Sequence, residues 1–242
     1  MISITVKKAN PECAQVALSG DSALAPFELE RLNTMHVDNR AAFLTGRLTL
    51  RSMLGRWLGI DPRDVPLMQE GAGRVTLDME QEMGTFDVDQ DMGQPYFSVS
   101  HTNVGETAYV AVAVGDAPIG IDLDNRNRVV NWRRIADRHF HPKNRAVLNG
   151  LSEAEATDAF FKYWTFTEAL VKLEDGKLLP YLHGLEVALT QGGGTLKGTT
   201  PLGDKDISLK TYNFKDTGLM FGVAVKGQAQ AIQMITDLSY ET

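Results

Sequence analysis

Three carboxylates and a lysine have residue types and spacings that suit chemistry on a phosphate. Asp122 and Asp124 are two residues apart, and Glu168 precedes Lys172 by four. Side chains two apart leave the same face of a strand, and side chains four apart share a stripe of a helix. Neighbouring carboxylates repel each other unless protons or a cation relieve them. Carboxylates bind metals through oxygen, and neither pair has a cysteine beside it. Mg²⁺ is the cation that such oxygen ligands favour.

Each pair also has an ordinary structural explanation. A glutamate and a lysine beside the core residue Trp164 are common on an exposed helix, and two aspartates can simply end a strand at a turn. A third segment, Ser98–His101, adds a serine and a histidine at the end of another predicted strand. Three carboxylates around a metal, with lysine, histidine and arginines neutralising phosphate charge, would suit displacement at phosphorus.

Hydrophobic periodicity predicts the elements that carry these residues. Ser152 as N-cap and Gly176 just past the last periodic residue predict a helix that carries Glu168 and Lys172. Alternating apolar residues predict strands. They are predicted at Ile2–Val6, Tyr96–Ser100, Thr107–Val114, Ile119–Asp124, Leu185–Thr190, Ile207–Phe214 and Met220–Val225.

A second long helix is predicted over Arg40–Leu58. Arg40, Arg47 and Arg51 project from its apolar face. Arginines in such a stripe extend to solvent, pair with a carboxylate or meet a ligand anion, and the sequence leaves these alternatives open.

Composition limits the function classes. The chain has 242 residues, 43% of them hydrophobic, and a net charge of −7. It is long enough for one large domain or two halves. The negative charge is unfavourable for binding nucleic acid or an anionic membrane, and no apolar run is long enough to span a bilayer. The single cysteine, Cys13, and the strand pattern at the N-terminus lead us to expect a cytoplasmic location. We also expect a monomer.

One segment carries the opposite charge to the rest of the chain. Between residues 125 and 145 there are seven cationic side chains and one acid, Asp137, so the local charge is 7 − 1 = +6. The cations of this basic segment are Arg126, Arg128, Arg133, Arg134, Arg138, Lys143 and Arg145. A patch of one sign indicates an acidic partner, because a solvated helix face normally mixes its charges. Nucleic acid is an alternative partner, although no nucleic-acid motif accompanies the patch, and a solvated helix face is the structural alternative.

Three segments, in order, resemble the motifs of the 4'-phosphopantetheinyl transferases of the larger, Sfp-like class. They are Tyr96–His101, Gly120–Asp124 and Phe161–Lys172, and the helix around Gly46–Arg51 is also similar. The resemblance covers roughly residues 40–178. Each motif alone is weak evidence, whereas their order and spacing make the set specific.

The resemblance implies a reaction and roles for the residues. The pantetheine arm of coenzyme A would move to a serine of an apo carrier protein, and adenosine 3',5'-bisphosphate would leave. Asp122, Asp124 and Glu168 are implied as Mg²⁺ ligands, and Glu168 would also help to deprotonate the serine. Lys172 is implied to bind the diphosphate. The acidic partner expected for the basic segment, residues 126–145, would then be the carrier protein.

The resemblance also implies the coenzyme A contacts and the fold. Ser100 and His101 would meet a coenzyme A phosphate, with Arg47 or Arg51 nearby. The implied fold is α+β, with two similar α/β halves about a pseudo-twofold axis and the active site in the cleft between them. We place these halves at residues 1–118 and 119–242.

Some positions depart from the family pattern. Thr167 stands where lysine is usual, Ala42 where many members have arginine, and Asp124 where glutamate is commoner. Thr167 favours an alternative, a non-catalytic protein that binds coenzyme A or a carrier on the same scaffold. A magnesium-dependent phosphohydrolase of another nucleotide is a further alternative. The intact acids and Lys172 favour the transferase.

Overall fold

The computed structural model describes residues 1–10, 24–70, 74–78, 93–227 and 231–241, so Cys13 lies outside the described residues. Helices and strands both contribute, which confirms the predicted α+β class. The helices are α1 (Pro26–Thr34), α2 (Val37–Leu58), α3 (Trp132–His139), α4 (Pro142–Asn149), α5 (Glu153–Glu174) and α6 (Leu178–Gly184). The strands are β1 (Ile2–Lys8), β2 (Leu67–Glu70), β3 (Arg74–Leu77), β4 (Tyr96–Val104), β5 (Thr107–Gly115), β6 (Ile119–Asn125), β7 (Val187–Thr190), β8 (Gly193–Leu196), β9 (Ile207–Phe214), β10 (Leu219–Lys226) and β11 (Ile232–Ile235).

The chain divides into two compact units. The first comprises Met1–Lys7 and Tyr96–Thr242, and the second comprises Lys8–Pro95. Within the first unit, the polypeptide passes from one sheet to another between β5 and β6, close to residue 118. Two similar halves related by a pseudo-twofold axis stay a prediction.

The first unit contains two sheets. One has the strand order β11-β1-β5-β4 and the other β6-β10-β9-β8-β7, so β4 and β6 are edge strands of different sheets. Side chains of both sheets, among them Ile4, Ala111 and Ile121, form one apolar cluster. A second cluster joins helix α5 to the helices around it and to strands β7, β9 and β10. The second sheet therefore has an apolar core on each face.

Helix α5 begins and ends where sequence signals predict. Glu155 Oε2 accepts hydrogen bonds from the backbone nitrogen and hydroxyl of Ser152 at 3.1 and 2.6 Å, so Ser152 is the predicted N-cap. The helix stops at Asp175, whose φ of 54° is left-handed. Inside α5 nearly every side chain toward the sheet is apolar and buried, so packing fixes the helix against β6 and β10.

The second unit is built on α1 and α2. Helix α2 starts three residues earlier than predicted, at Val37, and ends before Gly59, whose φ of 71° is left-handed. Arg51 lies inside this unit with a side chain that is only 2% exposed. Its Nε and Nη2 donate to Glu28 Oε2 at 3.0 and 2.7 Å, and its Nη1 donates to the Val65 carbonyl at 2.9 Å.

This environment matches one of the alternatives that the sequence left open for Arg51, a pair with a carboxylate. Its remaining contacts are with two carbonyls of the 3-10 helix Pro62–Asp64, so the guanidinium is surrounded by protein groups. Glu28 is fully buried and also accepts a hydrogen bond from the Ala25 nitrogen. A buried charge pair of this kind holds elements together, and Arg51 has no open face for a coenzyme A phosphate.

No helix among the described residues is both long enough and apolar enough to cross a lipid bilayer.

We predict that Arg51→Met destabilises the protein by about 3–5 kcal/mol, because it leaves the Glu28 carboxylate buried without its strongest partner. Urea unfolding followed by circular dichroism measures this change. Arg63→Met is the matched control, since Arg63 pairs with Asp61 at the surface and should move the midpoint little. Equal midpoints for the two variants would contradict the structural role of Arg51.

Candidate active site

Strand β6 presents two different faces, and the aspartates lie on the polar one. Ile119, Ile121 and Leu123 belong to the apolar cluster between the sheets. Gly120, Asp122 and Asp124 alternate with them and lie on the opposite face. Both aspartates are buried, with side chains 11% exposed. The two-residue spacing therefore places both carboxylates on the face directed at α5.

Gly120 brings β6 into direct contact with the backbone of α5. A Cβ atom at Gly120 would stand 1.9 Å from the Ala169 carbonyl oxygen and 2.6 Å from the Leu173 nitrogen. No side chain fits in such a space, so the glycine of the Gly120–Asp124 motif is required by packing. Ala169 and Leu173 each directly follow a pocket residue, so this close approach sets how near the aspartates come to Glu168 and Lys172.

Serine hydroxyls join β4 to β6 across the gap between the two sheets. Ser98 Oγ accepts a hydrogen bond from the Ile121 nitrogen at 3.2 Å, and Ser100 Oγ accepts one from the Leu123 nitrogen at 3.0 Å. These side chains take the place of the carbonyl partners that a neighbouring strand would supply. The serines, two apart on β4, thus fix the position of β6 relative to the first sheet.

Ser100 also bonds to both charged partners in the pocket. Its hydroxyl donates to Asp122 Oδ1 at 3.0 Å and accepts from Lys172 Nζ at 2.9 Å. Lys172 Nζ in turn donates to Asp122 Oδ1 at 2.8 Å. A hydroxyl has one donor and two acceptor positions, and Ser100 uses all three within the protein. We therefore assign Ser100 to positioning Asp122 and Lys172, and its contact with coenzyme A stays a prediction.

Asp124 is held by Arg128, a residue that sequence analysis placed only in the basic segment. Arg128 Nε lies 2.9 and 3.1 Å from the two oxygens of Asp124, and Nη2 lies 2.7 Å from Oδ2. The guanidinium carbon also stands 5.2 Å from the centre of the Phe161 ring and 5.8 Å from that of Trp164. Asp124 and Arg128 are four residues apart, and this spacing was the available sequence signal for the pair. The spacing alone does not predict a contact, because Asp124 lies in a strand and only the turn after β6 returns Arg128 to it.

Glu168 is the acid of the site that makes no hydrogen bond or ion pair with another described residue. Burial raises the pKa of its carboxyl group, and the charges of Asp122 and Asp124 raise it further, against the opposing effect of Lys172. The side chain is half-buried and lines the same pocket as the two aspartates. Glu168 is therefore a carboxylate with oxygens available to a proton or a cation.

These groups surround one pocket of about 360 Å³. Its lining includes Ser100, His101, Asp122, Asp124, Trp164, Glu168 and Lys172. The structure thus brings together six residues named from the sequence as site candidates, and Trp164 of α5 lines the pocket beside them. Arg47 and Arg51 belong to the second compact unit. Thr167 is buried and donates to the Tyr163 carbonyl at 2.8 Å, so this departure from the family pattern does not line the pocket.

His101 lies in the middle of β4 and not at its end. The strand continues to Val104 because residues 101–104 pair with 107–110 across a tight turn at Gly105 and Glu106. The imidazole reaches solvent, yet burial of part of the ring lowers its pKa, and the charge of Lys172 lowers it further. Asp122 acts in the opposite direction. His101 is therefore a neutral hydrogen-bonding group beside the charged residues at neutral pH.

The donor chemistry of the pocket fits a hard divalent cation. Within the described part of the chain no three acids, histidines or cysteines are already arranged around one metal position. Instead, Asp122 pairs with Lys172 and Asp124 pairs with Arg128. Asp122 Oδ2 and both oxygens of Glu168 accept no hydrogen bond from described residues, and oxygen ligands are what Mg²⁺ prefers. Mg²⁺ fits this donor set, but Asp124 can join it only if Arg128 moves.

The basic segment is partly neutralised by ion pairs. Four of its cations pair with acids, namely Arg126 with Asp158, Arg128 with Asp124, Arg133 with Glu153 and Lys143 with Glu186. The remaining three, Arg134, Arg138 and Arg145, have no carboxylate partner among the described residues. Arg134 and Arg138 are exposed one turn apart on α3. The unpaired charge is therefore concentrated in these three arginines.

Comparison with known proteins points in one direction. The 4'-phosphopantetheinyl transferase superfamily matches residues 118–216, which include β6 and α5. A 4'-phosphopantetheinyl transferase, HetI of Nostoc sp., is 32% identical over 70% of this chain and 66% of its own. A putative 4'-phosphopantetheinyl transferase of Synechocystis sp. is 28% identical over 55% of this chain. The chain spans 66% and 49% of the lengths of these two relatives.

A further relative matches over nearly its whole length. The 4'-phosphopantetheinyl transferase Sfp of Bacillus subtilis is 24% identical over 91% of this chain and 89% of its own. This alignment extends well beyond the segment that carries the pocket, because it takes in most of both compact units.

We predict that Gly120→Ala lowers the free energy of unfolding by about 3 kcal/mol, the upper end of the usual cost of overpacking, because the new Cβ would collide with backbone atoms of α5. Gly150→Ala is the matched control, since the nearest atom to its Cβ would be 3.6 Å away and its φ is −89°. Urea unfolding compares the two variants. Equal stabilities of the two variants would contradict the conclusion that the close approach of β6 to α5 requires glycine at position 120.

Proposed function

Because the chain belongs to the 4'-phosphopantetheinyl transferase superfamily, we propose that it transfers the 4'-phosphopantetheine arm of coenzyme A to a serine of an apo carrier protein. Adenosine 3',5'-bisphosphate is the proposed leaving group. The observation that carries this proposal is that Asp122, Asp124, Glu168 and Lys172 line one pocket. Acids and a cation in this arrangement suit a reaction in which charge at a diphosphate must be neutralised.

The acids have proposed roles that follow from their surroundings. Asp122, Asp124 and Glu168 would hold Mg²⁺. When bound, Mg²⁺ would polarise phosphate oxygens and neutralise part of their charge. Glu168, whose pKa is raised by burial, would accept the proton of the incoming serine, directly or through a water molecule. The serine oxygen would then form a bond to the phosphorus as the bond from phosphorus to the leaving group breaks.

The cationic and neutral groups would bind the rest of the diphosphate. Lys172 Nζ already stands within the pocket on Asp122 Oδ1, so a small movement would bring it to a phosphate oxygen. His101 would donate one hydrogen bond to a coenzyme A phosphate from the rim. Of the two arginines named from the sequence, Arg47 is our proposed contact. Its ion pair with Glu28 is the longer one, at 3.5 Å against 2.7 Å for Arg51, and its side chain is 15% exposed against 2%.

We propose that the carrier protein is acidic and docks on the basic segment through the unpaired arginines. Arg134 and Arg138 support this because their charges are exposed and lack carboxylate partners in the described part of the chain. The net charge of the whole protein is −7, so an acidic partner would be repelled unless a local patch attracts it. A monomeric state and a cytoplasmic location stay predictions.

The transfer assay tests the proposed function and separates it from its alternatives. The protein is incubated with coenzyme A, Mg²⁺ and apo carrier proteins, and the carriers are then weighed by mass spectrometry. A carrier heavier by one phosphopantetheine group supports the transferase. Unchanged carriers in every trial would favour the alternative of a non-catalytic protein that binds coenzyme A or a carrier. Nucleotide products formed without any carrier would indicate a phosphohydrolase.

We predict that Asp122→Asn lowers the rate of transfer by at least about a hundredfold, since even residues one shell away from a metal cost about 10–100-fold when replaced. The amide keeps the shape of the carboxylate but loses its charge, so circular dichroism should show an unchanged fold. Asp158→Asn is the matched control, because Asp158 pairs with Arg126 and Lys162 outside the pocket. Near-equal rates for the two variants would remove Asp122 from the proposed chemistry.

We also predict that the double variant Arg134→Glu, Arg138→Glu raises the KM for the carrier by about three- to tenfold at low salt, with little change in the KM for coenzyme A. The difference from the unaltered protein should shrink as salt screens the charges. Lys197→Glu with Lys205→Glu is the control, an equal change of charge at exposed positions outside the basic segment. Identical effects of the two double variants would contradict docking at Arg134 and Arg138.

A further inference from the structure

The two aspartates of β6 differ in how many of their carboxylate oxygens contact a cationic side chain. The guanidinium of Arg128 contacts both oxygens of Asp124. Asp124 Oδ1 also accepts a hydrogen bond from the Asn125 nitrogen at 2.7 Å. Lys172, by contrast, contacts only Oδ1 of Asp122. A cation that approaches the pocket therefore finds an available oxygen on Asp122 and none on Asp124.

The turn after β6 holds Arg128 in this position. Asn125 Oδ1 accepts from the Asn127 nitrogen at 2.9 Å, and the Arg128 nitrogen donates to the Asn125 carbonyl at 3.1 Å. The Asn125 side chain also donates to the Asn103 carbonyl of β4 at 3.0 Å. These bonds reverse the chain directly after the strand, so the guanidinium returns to the acid four residues before it.

The aromatic rings on α5 give the guanidinium a second contact that does not depend on Asp124. Arg128 stands over Phe161 and Trp164, and Trp164 lines the pocket. A cation over an aromatic face is attracted by the ring, so the guanidinium can stay beside the pocket after it leaves the carboxylate. Arginine does not lose its proton in proteins, so it can release Asp124 only by moving.

We infer that Arg128 is a positioning residue that acts as an internal counter-ion, competing with the divalent cation for Asp124. This inference rests on the proposed function, in which the three acids hold that cation. Without the metal, Arg128 relieves the repulsion between Asp124 and the neighbouring carboxylates. When the metal binds, the two-pronged contact with Asp124 must break, and this cost lowers the affinity of the protein for the cation alone.

The test is the affinity for Mn²⁺, with no coenzyme A or carrier present, measured by titration calorimetry on the whole protein. Arg128→Gln should bind Mn²⁺ about two- to fivefold more tightly than the unaltered protein, the range expected for release of a partly exposed ion pair. Arg128→Lys keeps the charge but cannot contact both oxygens in the same two-pronged way, so its Mn²⁺ affinity should lie between those of the other two proteins. Thermal unfolding without metal shows whether each variant is folded.

Arg126→Gln is the matched control for the lost positive charge, because Arg126 pairs with Asp158 and not with the three acids. Equal Mn²⁺ affinities for Arg128→Gln and Arg126→Gln would overturn the inference, as would weaker binding by Arg128→Gln. Either result would leave the proposed metal site intact if Asp122→Asn abolishes binding. Absence of Mn²⁺ binding in every variant, the unaltered protein included, would instead overturn the proposed metal site and the inference with it.

Discussion

The hydroxyl group of Ser100 joins the three elements that form the pocket. It contacts the backbone of β6, the carboxylate of Asp122 and the ammonium group of Lys172 on α5, while Ser100 itself belongs to β4. Strands β4 and β6 are edges of different sheets, so no continuous ladder of backbone hydrogen bonds fixes their distance. Ser98 and Ser100 supply that restraint from one side, and the close packing of Gly120 against α5 supplies it from the other. The pocket exists because these two restraints act on the same strand.

Charge balance is the second condition that the pocket must meet. Three acids stand beside two internal cations, and the third acid, Glu168, has no cationic partner of its own among the described residues. An arrangement of this kind tolerates burial because most of the charge is paired, yet it retains one carboxylate whose pKa is raised. Lys172 and Arg128 lie at the pocket, so a bound cation could replace either of them as the partner of its carboxylate. The same contacts that stabilise the protein without ligands therefore keep its cations at the pocket.

Much of the site was predictable because strands and helices have simple periodicities. The spacing of Asp122 and Asp124 and that of Glu168 and Lys172 gave the correct faces, and the helix with its Ser152 cap was placed correctly. The family predicted from the three ordered motifs is confirmed by the matching relatives. These features depend on residues that are near each other in the chain, and local geometry was sufficient to place them.

The partners of individual polar side chains were not predictable in the same way. For Arg51 the sequence left solvent, a carboxylate and a ligand anion open, and the structure pairs it with Glu28, 23 residues earlier in the chain. Arg128 was counted with the basic segment, although the turn at Asn125 returns it to Asp124. Ser100 was named for a phosphate contact, and its place in the sequence did not indicate that β6, Asp122 and Lys172 are its partners in the structure. In each case the partner is decided by tertiary packing, which residue type and spacing do not specify.

We propose that Asp122, Asp124 and Glu168 together hold one divalent cation. A crystal structure of the protein with Mn²⁺ and coenzyme A, with anomalous scattering used to locate the metal, tests it most directly. We expect an anomalous peak within coordination distance of oxygens from all three side chains, with Arg128 no longer bound to Asp124. A peak elsewhere in the molecule, or coenzyme A bound with its diphosphate away from these acids, would contradict it.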